Sequence, residues 1–461
     1  MITMTLAQAC RILDVDLDSI DSRFHQLLFT GITLDTRKLQ PDNLFIVLKG
    51  AQVDGHDYLE TAKQQGAVAA LVSQASTVDL PLIRVKDVTD ALGQLAAAWR
   101  DQFSLPIIGI TGSNGKTTLK NMMHAILIAA CQNDRNQVLA TLGNLNNHWG
   151  LPLTLARLNV EHRYAIIEMG MNHFGEIEYL TQLAKPSIAI ITNAAACHIE
   201  GVGDIAGVAR AKAEIFMGLA PDGIAILNRD DAFYSYWREQ IQHHSYLTFG
   251  WHEEAHVRGE IVENTSADNT QTSLINLQTP IGNIEINLPL LGKHNVLNAL
   301  AATAAALALD IDLATIKRGL EEHLQSAPGR LQLHILANGV KIIDDTYNAN
   351  PFSLQAAVDT LVTFQGKKIL VLGDMKELGP EAKPLHFTAG EKIRAAGIDY
   401  LFTLGELSAQ SANAFGDGAY HFNEQDKLIN ALKPFLYNQT TILIKGSRSM
   451  RMEKIVAELV Q

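Results

Sequence analysis

One ten-residue segment, Gly109-Ile-Thr-Gly-Ser-Asn-Gly-Lys-Thr-Thr118, constrains the fold more than any other part of the chain. An apolar run at residues 105–110 predicts a strand before it, and helical apolar spacing follows over residues 119–130. A strand, a glycine turn and a helix start form an anion-binding loop, because backbone N–H groups and the positive end of the helix dipole converge there. Lys116 adds a charge for the outer phosphates, and the Thr117 hydroxyl suits Mg²⁺. The segment therefore predicts an ATP-using enzyme.

This loop departs from the general phosphate-loop pattern at one position. The pattern has glycine six residues before the lysine, where this chain has Ile110, with glycine instead at 109 and 112. An ordinary strand-to-helix turn that happens to carry a lysine is the alternative. The preceding strand, the following helix and the Lys-Thr pair favour the phosphate loop. The residues expected to bind the nucleotide there are Gly112, Ser113, Asn114, Gly115, Lys116, Thr117 and Thr118.

Composition limits the class of protein further. A chain of 461 residues is too long for one core and predicts several domains. The net charge of −12, without a long basic run, argues against nucleic acid as the main partner. Cys10, Cys131 and Cys197 show no pairing or metal-binding spacing, which indicates a reducing compartment. With neither a signal-peptide pattern nor an apolar run of ~18 residues, we expect a cytoplasmic protein that does not insert into membranes.

The alternation of strands and helices predicts three α/β domains in series. Residues 1–85 have short strands around a helical segment, whereas residues 86–325 alternate in the manner of a parallel sheet with crossovers. Residues 255–290 alternate differently and predict inserted antiparallel hairpins. Residues 326–461 again have a doubly wound pattern. The turn-rich Ser326-Ala-Pro-Gly-Arg330 is expected to be the hinge into this third domain.

Polar residues after the predicted central strands are candidate metal ligands. Glu168 closes a predicted strand, and the carboxyl ends of parallel strands face the ligand crevice. Its carboxylate suits Mg²⁺, although a paired polar residue at a sheet edge is the alternative. His198 follows the next strand in an equivalent place, where a structural histidine is the alternative. Lys212 lies on a predicted helix close to Glu214, and a solvated lysine is its ordinary explanation.

Three later segments have the polar composition of a binding site. Asn295 and Asn298 lie within one helical turn, so their amides suit an adenine edge, with helix capping by Asn295 as the alternative. Arg330 follows the hinge, and an arginine presented by a closing domain neutralises a transferring phosphoryl group. The segment Ile343-Asp-Asp-Thr-Tyr-Asn-Ala-Asn-Pro351 places acids, a tyrosine and two asparagines behind a strand, where a solvated turn is the alternative.

Together these motifs resemble those of the Mur ligases, ATP-dependent amide-forming enzymes of bacterial cell-wall precursor synthesis. The residues that carry the resemblance are the phosphate loop, Glu168-Met-Gly170, Asn193, His198, Lys212, His294-Asn295, Asn298, Arg330 and Asp344-Asp345. The displaced glycine agrees with that family's own variant of the loop. The resemblance covers nearly the whole chain. It implies a three-domain α/β architecture: a small N-terminal α/β domain for a UDP-sugar peptide, a central P-loop ATPase-like parallel-sheet domain and a C-terminal Rossmann-like domain.

Within the family, the resemblance is greatest to the branch that adds D-alanyl-D-alanine. Asp344-Asp-Thr-Tyr-Asn-Ala-Asn-Pro351 is similar to the signature of that branch, whereas the diaminopimelate- or lysine-adding paralogue has Asp-Tyr-Ala-His-Thr-Pro there. The other segments that fit are Thr33-Leu-Asp-Thr-Arg37, Lys49-Gly50, Asp54-Gly-His56, Gly143-Asn-Leu-Asn-Asn147 and Lys445-Gly-Ser-Arg448. The resemblance implies UDP-N-acetylmuramoyl-tripeptide, D-alanyl-D-alanine and ATP as substrates, with an acyl-phosphate intermediate. We expect the enzyme to be a monomer.

The resemblance also implies roles for the candidate residues. Charge on the transferring phosphoryl group is stabilised by Lys116, Arg330 and one or two Mg²⁺. A carbamoylated lysine is implied at Lys212, and carbamoylation turns a cation into an oxygen donor for a hard metal. The implied metal ligands are Thr117, Glu168, His198 and Lys212. The implied catalytic residues are Lys116, Lys212, His198 and Arg330.

The remaining candidates concern the nucleotide and the two peptide substrates. Asn295 and Asn298 would hold adenine, and Asp345 would meet the nucleotide together with Arg330 after domain closure. The weaker substrate candidates are Asp35, Arg37, Lys49, Asn146, Asn147, Asn348, Asn350 and Arg448.

Three alternatives to this function stay open from the sequence. A ligase of the folylpolyglutamate synthase type shares the glycine loop and the domain order, but lacks the N-terminal domain and the 344–351 signature. A nucleotide-driven switch or motor would hydrolyse ATP without a peptide acceptor and would not need both His198 and Lys212. A non-enzymatic nucleotide-binding module is the third alternative.

Overall fold

The computed structural model describes residues 1–50, 53–267, 270–325 and 327–460. Three main sheets organise these residues, and we refer to an N-terminal unit (residues 3–100), a central unit (107–318) and a C-terminal unit (329–460). The domain limits expected after residues 85 and 325 stay predictions, and Ser326 of the expected hinge lies outside the described residues. In the described part of the chain, no helix combines the length and apolar character needed to cross a membrane.

The N-terminal unit is a small parallel sheet with an antiparallel ribbon. Its elements are β1 (Thr3–Thr5), α1 (Leu6–Ile12), β2 (Leu28–Thr30), β3 (Ile32–Thr33), β4 (Leu44–Ile46), α2 (Leu59–Gln64), β5 (Ala69–Val72), β6 (Leu82–Arg84) and α3 (Val88–Arg100). Strands β3, β4, β5 and β6 lie parallel in that order, and β1 pairs antiparallel with β2. All residues of β4 and β5 are buried, as expected for parallel strands covered on both faces. The predicted small α/β unit is therefore confirmed.

The central unit is built on a nine-stranded mixed sheet. Its elements are β7 (Ile107–Thr111), α4 (Lys116–Ala130), β8 (Val138–Ala140), α5 (Gly150–Leu155), β9 (Tyr164–Glu168), α6 (Glu176–Ala184), β10 (Ile188–Ile191), α7 (Ile199–Val202), α8 (Ile205–Ala213), β11 (Ile224–Asn228), α9 (Tyr234–Gln240), β12 (Ser245–Gly250), β13 (Val257–Ala267), β14 (Thr270–Thr279), β15 (Gly282–Leu288), α10 (Lys293–Leu307) and α11 (Leu313–Arg318). Strands β7 to β13 are parallel, whereas β14 is antiparallel to both β13 and β15. The predicted parallel sheet with inserted hairpins is confirmed.

The order of the central strands decides where the site forms. The sheet runs β15-β14-β13-β12-β11-β10-β7-β9-β8, so β7 lies between β10 and β9. These three strands are almost wholly buried, because helices cover both faces. Their carboxyl ends meet at one edge of the sheet, which is the usual place for a ligand crevice. The loops that carry the phosphate-binding segment, Glu168 and His198 therefore come together.

The C-terminal unit is a six-stranded, doubly wound sheet. Its elements are β16 (Gln332–Ile335), β17 (Lys341–Asp345), α12 (Pro351–Leu361), β18 (Lys367–Gly373), α13 (Ala382–Ala395), β19 (Tyr400–Leu404), α14 (Ala409–Phe415), β20 (Ala419–Phe422), α15 (Gln425–Leu432), β21 (Thr440–Lys445) and α16 (Glu453–Val460). The order is β16-β17-β21-β18-β19-β20, and only β16 is antiparallel to its neighbour. Separate apolar clusters cover its two faces. The predicted Rossmann-like arrangement is confirmed.

Two adjacent leucines after β15 pack into different units. Leu290 and Leu291 are each 7% exposed. Leu290 belongs to the central core, beside α4 and α10, whereas Leu291 packs with Ile343 and Leu354 in the core of the C-terminal unit. The chain therefore anchors the C-terminal unit with a side chain from the central one.

This arrangement predicts that two equal truncations loosen different parts of the molecule. Leu290→Ala and Leu291→Ala remove the same side chain at the same exposure, and each is expected to cost about 2–5 kcal/mol of local stability. Hydrogen exchange followed by mass spectrometry shows which segments lose stability in each variant. We expect Leu290→Ala to speed exchange in α4 and β14, and Leu291→Ala to speed it in β17 and α12. Identical exchange patterns in the two variants would contradict the anchoring role of Leu291.

Candidate active site

The phosphate loop turns at two glycines whose backbone no other residue adopts easily. Gly112 has φ +148° and Gly115, the residue before α4, has φ +85°. A Cβ at Gly112 would overlap the Thr192 hydroxyl, and one at Gly115 would lie 2.5 Å from Asn298 Oδ1. Gly109, by contrast, lies inside β7. The displaced glycine of the sequence pattern is thus a strand residue, and the turn itself has the glycines it requires.

Hydrogen bonds from the end of β10 hold this loop in place. The Thr192 hydroxyl donates to the Asn114 carbonyl at 2.6 Å, and the Asn193 side-chain oxygen accepts the Asn114 N–H at 3.0 Å. The Ser113 N–H donates to the Asn193 carbonyl at 3.0 Å. These contacts are internal to the protein and link the phosphate loop to the end of β10.

A buried carboxylate lies beside the first turn of α4. Glu168 is 2% exposed at the end of β9, and both of its oxygens are hydrogen-bonded. Thr117 Oγ1 donates to Glu168 Oε2 at 3.0 Å, and Asn146 Nδ2 donates to Oε1 at 2.9 Å. Lys116 Nζ donates to the Gly112 carbonyl at 2.6 Å, so the lysine folds back over the loop. A cation, a hydroxyl and a carboxylate thus lie together at the start of α4.

Two side chains at the start of the C-terminal unit reach the phosphate loop. Arg330 Nη2 donates to Thr117 Oγ1 at 3.1 Å, and the guanidinium lies 4.2 Å from the centre of the Tyr347 ring. Asn350 Nδ2 donates to Asn114 Oδ1 at 2.9 Å. The C-terminal unit is therefore docked against the phosphate loop.

A cavity of about 610 Å³ opens between the central and C-terminal units and collects most of the candidate residues. The candidates that line it are Ser113, Asn114, Gly115, Lys116, Thr117, Thr118, Asn146, Glu168, His198, Asn295, Asn298, Arg330, Asp345, Asn348 and Asn350. A second cavity of about 600 Å³ adjoins it and shares Asn348, with Arg448 on its wall. Residues distant in sequence thus meet in one cleft.

The two asparagines of α10 do not cap that helix. Gly292 is the residue before α10, so Asn295 lies inside the first turn, and its amide donates to the Leu291 carbonyl at 2.8 Å. Asn298 lies next to Gly115 of the phosphate loop. The capping alternative for Asn295 is therefore wrong, because the helix starts three residues earlier than that alternative requires.

Two of the substrate candidates bond to backbone N–H groups at helix starts, and Asn350 is the cap of its helix. Asn350 precedes α12 and accepts the Ser353 N–H at 2.8 Å, in addition to its contact with Asn114. Asn147 accepts the Gly150 N–H at 2.9 Å at the start of α5 and is not among the described residues that line either cavity. Substrate contacts by these two residues stay predictions.

The three N-terminal candidates lie apart from the cleft. Asp35 pairs with Arg37 at 2.8 Å, and the hydrogen bond from that guanidinium lowers the pKa of the carboxyl. Lys49 lies 3.7 Å from Asp54. None of the three is among the described residues that line the two cavities. Their role in binding a sugar nucleotide stays a prediction.

Lys212 is buried, so the alternative of a solvated lysine is wrong. The side chain on α8 is 2% exposed, and burial lowers its pKa to about 7. The Lys116 ammonium lowers the pKa of Lys212 further, whereas the Glu214 carboxylate raises it. An amine with such a pKa is largely neutral at slightly alkaline pH and is therefore nucleophilic.

Two further contacts at the cleft involve residues to which the sequence analysis gave no role of their own. Lys445, at the end of β21, lies 2.5 Å from Asp345 and is 2% exposed. Glu377 lies 3.3 Å from His198 Nδ1. Lys445 closes a strand just as Glu168 does, so the same argument from strand ends would have found it. Glu377 lies in a loop without a recognisable motif, and only the docking of two units brings it to His198.

Three families match the chain, and each match lies within one of the three units. Residues 28–100 match a family described as "Mur ligase family, catalytic domain". Residues 110–306 match "Mur ligase middle domain", and residues 329–448 match "Mur ligase, glutamate ligase domain".

Curated relatives and solved structures match over all or nearly all of the chain. The UDP-N-acetylmuramoyl-tripeptide–D-alanyl-D-alanine ligase of Escherichia coli (strain K12) is 42% identical, with 100% of this chain and 99% of that protein covered. The crystal structure of MurF from Acinetobacter baumannii has a TM-score of 0.92 at 34% identity, covering 100% of this chain and 99% of that one. MurF from Thermotoga maritima in complex with ADP has a TM-score of 0.80 at 25% identity, covering 94% and 97%.

His294, on α10 beside the cleft, predicts a pH dependence of stability. Burial lowers its pKa to about 4, and the Lys445 ammonium adds to this effect. An unfolded chain binds a proton at this histidine near pH 6.5, so unfolding takes up a proton between pH 6.5 and 4. The contribution of His294 is thus complete above pH 6.5 and is lost as the pH falls towards 4. We expect the free energy of unfolding of His294→Gln to fall by about 1–3 kcal/mol less than that of wild type as the pH is lowered. Urea unfolding at about pH 7.5 and 5 measures it; an equal pH effect in both proteins would contradict it.

Proposed function

The chain belongs to the Mur ligase family, and we propose that it is an ATP-dependent ligase that joins D-alanyl-D-alanine to UDP-N-acetylmuramoyl-tripeptide (EC 6.3.2.10). The product is the UDP-N-acetylmuramoyl-pentapeptide precursor of peptidoglycan. The observation that carries this function is the 42% identity with the Escherichia coli ligase over the whole of both chains. A folylpolyglutamate synthase of Mycobacterium tuberculosis is only 19% identical at a TM-score of 0.63, a likeness that concerns the fold alone.

The reaction has two steps, because a carboxylate is a poor electrophile. First, a terminal carboxylate oxygen of the tripeptide attacks the γ-phosphorus of ATP; the bond from that phosphorus to the bridging oxygen breaks, and ADP leaves. Second, the free amine of D-alanyl-D-alanine attacks the acyl carbon. The amide bond forms, inorganic phosphate leaves and the amine loses a proton. The protein contributes mainly position and charge in both steps.

Lys116 and Arg330 are the cations that we assign to the transferring phosphoryl group. Lys116 belongs to the phosphate loop, and Arg330 contacts the hydroxyl of the next residue, Thr117. The two positive charges thus flank the loop from different units. Docking of the C-terminal unit adds the second charge and shields the labile acyl phosphate from water.

The residues around Thr117 fit a magnesium ion. Thr117 Oγ1 and Glu168 Oε2 are 3.0 Å apart, and a hydroxyl with a carboxylate is the kind of oxygen set that binds Mg²⁺ together with substrate phosphates. Thr117 and Glu168 would hold this ion. When bound, it neutralises charge on the phosphate oxygens.

Lys212 is proposed to carry a carbamate. The side chain is buried, and burial lowers its pKa to about 7. Within the described part of the chain its Nζ donates no hydrogen bond that would raise that pKa again. The neutral amine attacks the carbon of CO₂, an N–C bond forms and a proton leaves, which gives an anionic oxygen donor. Together with His198, which borders the cleft, the carbamate would serve a second Mg²⁺.

The substrate assignments follow the division into units. Asn295 and Asn298 are assigned to adenine, with Asp345 and Arg330 at the nucleotide. Asn348 and Arg448 share the second cavity and are assigned to the dipeptide or the peptide carboxylate. The sugar nucleotide is assigned to Asp35, Arg37 and Lys49.

The cytoplasm is the proposed compartment, and the proposed active form is a monomer that binds neither nucleic acid nor membrane.

Phosphate release tests the function directly. With ATP and Mg²⁺ present, the sugar peptide and the dipeptide are each supplied or withheld, and we expect release only when both are present. Lys116→Ala is expected to lower the rate by about 10²–10³-fold, since it removes one charge from the reacting group. Lys392→Ala, on the exposed face of α13, is the matched control and should keep the wild-type rate. Release without an acceptor amine would favour a switch or motor instead.

The carbamate predicts chemical rescue. Lys212→Ala is expected to lose at least about 10²-fold in rate, because the second metal loses its oxygen donor. Added formate or acetate should restore part of that rate by supplying a carboxylate at the vacated position. Lys212→Arg keeps a cation but cannot be carbamoylated, so it should be inactive and not rescued. A Lys212→Ala enzyme with a near-normal rate would rule the carbamate out.

A further inference from the structure

His198 of the central unit and Glu377 of the C-terminal unit face each other across the cleft. His198 Nδ1 lies 3.3 Å from Glu377 Oε2. Both residues have left-handed backbone conformations, with φ +54° and +64°. Such conformations are costly for residues other than glycine and concentrate at functional sites, where the surrounding structure enforces them. Each unit thus holds one partner of this contact in an unfavourable conformation.

The loop that carries Glu377 is fixed to the C-terminal unit. It follows β18, and three hydrogen bonds secure its first residues. Met375 N–H donates to His386 Nε2 at 2.9 Å, and Lys376 N–H donates to Ser447 Oγ at 2.8 Å. The Asp374 carboxylate accepts the Ser408 N–H at 2.9 Å. The Glu377 carboxylate therefore moves with the C-terminal unit and reaches His198 only when that unit is docked.

The exposure of the pair argues against a role in stability. The side chain of Glu377 is 63% exposed and that of His198 is 28% exposed. Ion pairs this accessible to water contribute little to folding. A carboxylate that accepts one ring N–H of a histidine has another effect: it fixes the ring and its tautomer, and leaves the second nitrogen free to bind a metal.

We propose that Glu377 is the positioning residue for His198, so that the metal-binding state of the central unit depends on the docked C-terminal unit. In this proposal the Glu377 carboxylate, 3.3 Å from Nδ1, favours the tautomer with the proton on Nδ1 and leaves the Nε2 lone pair available. This inference rests on the proposed function, in which His198 serves a metal at the nucleotide. It gives the C-terminal unit a part in metal binding that is separate from the contacts of Arg330 and Asn350.

Manganese binding tests the proposal without relying on catalysis. The affinity of Mn²⁺ for the full-length protein with ADP is measured by electron paramagnetic resonance for wild type, Glu377→Gln and Glu377→Ala. We expect both variants to bind Mn²⁺ about tenfold more weakly, as is typical when the partner of a histidine ligand is lost. Their melting temperatures should match that of wild type. Glu381→Gln, an exposed acid four residues further on, is the control and should bind as wild type does.

A double-mutant cycle separates positioning from an unrelated effect. In a His198→Ala background, Glu377→Ala should cause no further loss of Mn²⁺ affinity, because it acts through His198. Nitrogen-15 spectra of the protein without nucleotide should show His198 with the proton on Nδ1, and Glu377→Ala should change that spectrum. Unchanged Mn²⁺ affinity in the Glu377 variants, or additive losses in the cycle, would overturn the proposal. Failure of wild type to bind Mn²⁺ with ADP would instead contradict the metal site of the proposed function.

Discussion

The hydroxyl of Thr117 joins the two units that form the cleft, and the remaining site contacts are arranged around it. A hydroxyl has one proton to donate, and Thr117 gives it to Glu168. It therefore accepts the hydrogen bond from Arg330, which cannot accept one itself. The order Arg330, Thr117, Glu168 thus runs from cation to anion. A nucleotide phosphate or a metal that enters this place exchanges partners with groups already in position, without the cost of ordering them.

This contact depends on the topology of two sheets. In the central unit, β7 lies between β9 and β10, so Glu168 and His198 end up on opposite sides of the phosphate loop. In the C-terminal unit, β21 lies between β17 and β18, which brings Lys445 next to Asp345. The carboxyl ends of both parallel sheets therefore face one cleft. Neither sheet alone has the full set of charges, so the chemistry requires both.

The sequence predicted the strands and helices of this framework well, since buried parallel strands are continuous apolar runs and helices have their own period. It predicted Glu168 because a strand end can be read from the same pattern. It could not predict that Lys212 is buried, since its segment has the composition of an exposed helix. Nor could it predict the contact of Glu377 with His198, because that distance is set by how two units dock. Local pattern thus determines the elements, whereas docking determines part of the site.

The asparagines show why the assignment of polar residues near helix starts is difficult from sequence. Asn295 had capping as an alternative, but α10 begins after Gly292 and places Asn295 inside its first turn. Asn350 pointed to substrate, yet it caps α12 and also bonds to the phosphate loop. The same amide satisfies a free backbone N–H or a ligand, so the residue type does not distinguish these roles. The position of the first helical residue distinguishes the two roles. For Asn295, an error of three residues in that position turns a residue inside the first turn into a cap. Asn350 caps α12 and contacts the phosphate loop at the same time, so the residue at which α12 begins also determines where its side-chain amide lies.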